Sequence, residues 1–138
     1  MTDCLFCKII AKTIPAEIVY EDDDVLAILD INPVNPGHTL VMPKQHYEDF
    51  MSLPDETCLP ISKAIKKIMR VVKEELGYEG VNLIQSNGTV AGQVILHLHF
   101  HVIPRQISDG YTHWHGHEYG DGEKSIMGAK IREAIENI

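Results

Sequence analysis

The chain has 138 residues, 44% hydrophobic and 23% charged, a composition that suits one ordinary soluble globular domain large enough to bury its own core. Its formal net charge of −8 leaves no basic surplus to neutralise a nucleic-acid backbone, so nucleic acid is not an expected partner. With no apolar run long enough for a membrane span and no leader pattern, a cytoplasmic setting is expected, where three cysteines are thiols or metal ligands rather than disulfides.

Cys4-Leu-Phe-Cys7 comes first in chain order. Two cysteines at this spacing let one tight turn offer two thiolates to Zn²⁺, although the pair alone is half a site. Free cysteines packed as small apolar residues are the other reading. Residues 17–30 read as two short strands, with Ile18, Val19 and Tyr20 in the first and Val25 to Leu29 in the second. The acidic triplet Asp22-Asp23-Asp24 makes the turn. Pro33 and Pro36-Gly37 break the chain, and a third strand runs from Thr39 to Pro43.

From residue 57 to 76 the pattern turns helical. Cys58, Ile61, Ile65, Ile68, Val72 and Leu76 step by three and four, and Lys63, Lys66, Lys67 and Lys73 face solvent. Pro60 is tolerated only in a first turn, which puts the helix start near Thr57, and Gly77 supplies the stop. Two more strands are expected at residues 81–85 and 96–103, joined by a glycine-containing loop over 86–92. The second of them holds His97-Leu-His99-Phe-His101-Val-Ile103. In an extended strand, alternate side chains share a face. The three imidazoles should stand in one row about 6–7 Å apart, with Leu98, Phe100 and Val102 entering a core behind them.

Residues 108–123 read as an irregular loop in which His113, His115 and His117 are solvated, with Trp114 placed to fold over a site. Residues 124–138 read as a weaker helix. Strands in hairpin-like groups around one long helix predict an α+β fold, an antiparallel sheet of about five strands plus a C-terminal helix, all in a single domain over residues 1–138.

The triad run matches His-φ-His-φ-His-φ-φ, with φ apolar, at every position. It resembles the signature of the histidine triad (HIT) family of nucleotide hydrolases and transferases. Pro36-Gly-His-Thr-Leu-Val-Met-Pro43 and Gly92-Gln93 match that family too. The resemblance implies that His99 attacks an α-phosphate to form a nucleotidyl-histidine intermediate. His101 would contact the phosphate and assist the leaving group, with His38 behind it. A neutral imidazole is a competent nucleophile near pH 7, so no catalytic metal is required.

Carried over in the same way, the nucleotide contacts are Asp30 and Ile31 at the ribose, with Ser86, Asn87, Gly92, Gln93, Val94, His99 and His101 around the phosphate. On residue type alone, Asp30 reads equally well as a strand-ending turn residue. Two positions depart from the Hint branch, which usually carries Ser or Thr where this chain has Val94 and Asn where it has Ser86. Zinc-binding bacterial members complete a Cys2His2 set with two histidines. Here those are His46, in Pro43-Lys-Gln-His46, and His97, joining Cys4 and Cys7 around a structural zinc. The family also implies a homodimer. The expected activity is hydrolysis of purine mononucleotide conjugates such as AMP-amine phosphoramidates and adenylates. A dinucleoside polyphosphate hydrolase, or a nucleotide-binding module with little catalysis, is the alternative.

Overall fold

The structure, a computed structural model, describes residues 3–138. It begins with helix α1 (Leu5–Ile10), a short element that the sequence reading leaves out. Cys4 caps it, its sulfur accepting the Cys7 N–H at 3.4 Å, and Phe6 and Ile9 are buried beneath. Strands β1 (Ile18–Glu21), β2 (Val25–Leu29) and β3 (Thr39–Pro43) follow almost as expected. The acidic turn has a specific cause: Asp22 Oδ1 accepts the N–H groups of Asp24 and Val25 at 2.9 and 2.7 Å.

Helix α2 (Cys58–Glu74) begins after a single 3-10 turn, with Pro60 in its first turn where a missing N–H costs nothing. It ends just before Gly77, whose φ of 74° is open to glycine and strained for other residues. Strands β4 (Gly80–Gln85) and β5 (Phe100–Arg105) complete an antiparallel sheet of order β1-β2-β3-β5-β4. The expected α+β sheet of five strands is what the chain forms.

Central strands β2 and β3 are buried on both faces, so they read as continuous apolar runs. On one face Val25, Ala27, Val41 and Val102 pack under Ile61, Ala64, Ile65 and Val72 of α2. On the other, Leu26, Ile28, Leu40 and Met42 pack against Phe6 and Ile9 of α1. The last helix, α3 (Glu123–Glu136), buries no residue and leaves Ile126, Met127, Ile131 and Ile135 exposed. No helix among the described residues is long and apolar enough to cross a membrane.

One expectation fails in an informative way. The strand expected over residues 96–103 begins only at Phe100, because residues 95–97 bend. His97 turns inward and is completely buried, while the Leu98 N–H leaves the ladder to bond Tyr47 O at 2.7 Å. The expected row of three imidazoles is therefore a row of two.

Candidate active site and metal centre

His99 and His101 remain neighbours, their ring centroids 5.0 Å apart. Both line a cleft of about 640 Å³ on the α1 face of the sheet. Hydrogen bonds determine what each ring offers. His99 Nδ1–H donates to the His97 carbonyl at 2.7 Å, which leaves its Nε2 as a free lone pair. Val34 N–H donates to His38 Nδ1 at 3.1 Å, so the His38 proton sits on Nε2. That Nε2–H donates to His101 Nδ1 at 2.9 Å, and His101 in turn keeps its proton on Nε2. The site thus presents one nucleophilic nitrogen beside one N–H donor.

Burial supports the neutral forms. Desolvation lowers the pKa of His99 below the ordinary 6.5, and that of His38 likewise. For His101, burial together with the neighbouring His99 and His38 brings it down to about 4. Asp30 Oδ2 lies 3.6 Å from His38 Nε2 and opposes these shifts only in part. Asp30, His38 and His101 also bring three donor atoms within 4.8 Å of one another. A cation there would need the His38 Nε2 lone pair, yet the Val34 N–H on Nδ1 puts a proton on Nε2. The hydrogen-bonded arrangement, rather than a metal, accounts for the cluster.

Of the other expected contacts, Asp30, Ile31, Gly92 and Val94 line the cleft. Val94 is 89% exposed at its mouth, with its methyl groups free. Gly92 adopts φ +96°, which explains the glycine by backbone conformation. Ser86, Asn87 and Gln93 are not brought there. Asn87 Oδ1 accepts from Phe50 N–H and from Gln85, and buried Gln93 braces the loop through Gly88 N, Glu48 O and Ile95 O. The side chains of Asn87 and Gln93 serve to hold the loop, and Ser86 contributes its carbonyl, which accepts from Gln85 Nε2 at 3.1 Å. Trp114 is also elsewhere, 85% exposed beside a separate hollow lined by Ile84, Ile103 and Arg105. The sequence reading missed the opposite wall, formed by Leu5, Phe6, Ile9, Ile14 and Pro15. Their only signal was an apolar stretch flanking the cysteine pair. No lysine or arginine among the described residues lines the cleft, whereas Glu17 and Asp30 do.

The second cluster lies behind the first. Ligand atoms of Cys4, Cys7, His46 and His97 all fall within 4.8 Å of one another. His97 Nδ1 is 3.5 Å from Cys4 Sγ and 3.6 Å from Cys7 Sγ, and His46 Nδ1 is 3.3 Å from Cys7 Sγ. His97 Nε2–H donates to Pro43 O at 2.9 Å, turning the Nδ1 lone pair toward the thiols. Two soft sulfurs, two imidazoles and a carbonyl that fixes one ring's tautomer fit the donor set of a closed tetrahedral zinc site. All three cysteines are free, so no disulfide competes for these sulfurs.

Comparison with known proteins gives a consistent picture. A family model described as HIT domain matches residues 11–107. The adenosine 5′-monophosphoramidase of Schizosaccharomyces pombe is 36% identical over 135 residues, covering 96% of this chain and 98% of that protein. A HIT family crystal structure from Bacillus subtilis superposes with a TM-score of 0.87 at 41% identity, covering 95% and 96% of the two chains. A zinc-bound histidine triad family protein from Mycobacterium smegmatis gives 0.76 at 33%, covering 96% and 98%.

Proposed function

This chain belongs to the HIT domain family, and on that premise we propose that it hydrolyses purine mononucleotide conjugates at the α-phosphate through His99. The observation that carries the reading is the His99 tautomer. Its Nδ1–H is held by the His97 carbonyl, and its Nε2 lone pair faces a cleft beside the His101 donor.

The nucleoside lies along the apolar α1 wall, with Asp30 accepting from the ribose hydroxyls. Ile31 sits beside the ribose, and Gly92 and Val94 border the phosphate. His99 Nε2 bonds to phosphorus as the bond to the leaving amine breaks, and the amine departs with a proton from solvent. The positive charge falls on a ring whose Nδ1–H is already held by a carbonyl. His101 Nε2–H donates to the phosphate where charge develops. Water then attacks phosphorus, the P–Nε2 bond breaks, AMP leaves and a proton returns to solvent.

The charge of the cleft supports an AMP-amine or adenylate substrate over a dinucleoside polyphosphate. A single anionic phosphate is met by neutral donors, while several phosphates would meet two carboxylates and no cation. The name of the fission-yeast relative supports the same choice. A structural Zn²⁺ held by Cys4, Cys7, His46 and His97 is part of this reading, supported by the donor set and the zinc-bound relative. So are a single HIT domain over the whole chain, a homodimer and a reducing, cytoplasmic setting for the free thiols.

The test is His99→Ala. Turnover of an AMP-amine conjugate should vanish while AMP binding stays measurable by calorimetry. Wild-type turnover in that variant would end the covalent-histidine reading.

A further inference from the structure

Between the two cysteines sits Phe6, almost wholly buried. Its ring meets two imidazoles edge to face. The His97 centroid lies 5.9 Å away at 80°, and the His99 centroid 5.0 Å away at 81°. His97 meanwhile points Nδ1 at both sulfurs and holds His99 Nδ1–H on its own carbonyl. His99 therefore has two supports, the His97 carbonyl and the Phe6 ring. Both are attached to the Cys4/Cys7/His46/His97 cluster.

We propose that Phe6 is a positioning residue for His99, and that the thiol–imidazole cluster, when it holds a metal, sets Phe6 and the His97 carbonyl as one unit behind the nucleophile. The proposal rests on the reading of His99 as nucleophile. Its physical basis is that an imidazole facing an open cleft has rotational freedom about its side-chain bonds, which a nucleophile aimed at phosphorus must give up. One hydrogen bond fixes the tautomer but leaves a hinge, and a perpendicular ring edge closes that hinge. The Cys-x2-Cys turn makes the contact rigid, because Phe6 is bracketed by Cys4, the N-cap of the six-residue helix, and by Cys7 within it. An edge-to-face ring contact is commonly worth on the order of 2- to 10-fold in a rate that depends on it.

The discriminating variant is Phe6→Leu, which keeps an apolar wall for the nucleoside and removes the ring. Its kcat for an AMP-amine conjugate should fall by about 2- to 10-fold, with KM changed by less than about twofold. Phe6→Tyr, which keeps the ring, should restore most of the rate. An independent readout comes from imidazole ¹⁵N NMR. In wild type, His99 should show one tautomer, protonated at Nδ1. In Phe6→Leu, and in wild type stripped of metal with a chelator, the two nitrogens should move toward averaged shifts. A wild-type kcat with an unchanged His99 spectrum in Phe6→Leu would overturn the proposal, as would a fall in rate confined to KM. Failure of the underlying reading is separable, since His99→Ala would then retain turnover whatever Phe6 does.

Discussion

Val94 is a single side chain with a measurable chemical consequence. It lines the mouth of the cleft and has no hydroxyl, at a position that the sequence resemblance matches to a Ser or Thr of the Hint branch. A hydroxyl there could donate to an α-phosphate oxygen or to a departing amine. Losing one such bond costs about 1–3 kcal/mol, or roughly 5- to 150-fold if it forms mainly in the transition state. Val94→Ser should therefore accelerate unactivated alkylamine conjugates of AMP more than activated arylamine or mixed-anhydride substrates. Parallel kcat/KM measurements on the two classes check it, and equal effects on both would place Val94 outside the phosphate site. Residue by residue, His99 and His101 were legible from type and spacing and His38 from its match to the family motif, and the fold brings the three rings together. Ser86 and Asn87 were not, since a polar side chain in a loop reads the same whether it meets a ligand or braces the turn, as Asn87 does for Phe50.

At the scale of elements, periodicity found β1 to β4 and α2 to within a residue or two. It missed α1, and the reason is length. Six residues barely close a turn and a half, too few to display a helical repeat, and α1 owes its stability to the Cys4 cap and the burial of Phe6 and Ile9. The early part of β5 was misread for a related reason: alternation predicts an extended strand, but the pull of His97 toward the thiols is a tertiary effect. If the four donors hold zinc, protein purified without added metal should contain about one ion per chain. Stripping it should lower the melting temperature, by the equivalent of about 2.7 kcal/mol if free metal had stood a hundredfold above Kd. Elemental analysis and calorimetry measure both. A metal-free sample with all thiols titratable and an unchanged melting temperature would remove zinc from the account.

On the scale of the whole molecule, the sheet ends at β4, which among the described residues pairs only with β5 and leaves its other edge free. Leu83 on that edge is exposed, as is Phe50 beside a hollow walled by Ile65, Met69 and Phe100. A second copy adding its own β4 would continue the ladder and cover these side chains. Sedimentation should accordingly find two chains per particle, and Leu83→Glu should shift the population toward one. A monomeric wild type at micromolar concentration would refute the homodimer.

The cation-free cleft has a further consequence for the encounter with substrate. Many phosphate-binding proteins draw their ligand in through a positive field that reaches well beyond contact. Here the chain carries −8 overall, the imidazoles of the site are held neutral by burial, and two carboxylates stand at the cleft. An approaching nucleotide would therefore meet no long-range attraction, and its association rate should not fall as salt is raised. On the proposed function, a highly charged polyphosphate would meet more repulsion at the cleft than a conjugate whose amine has masked one phosphate charge. On this reading, selection by charge would begin in solution, ahead of any contact with His99.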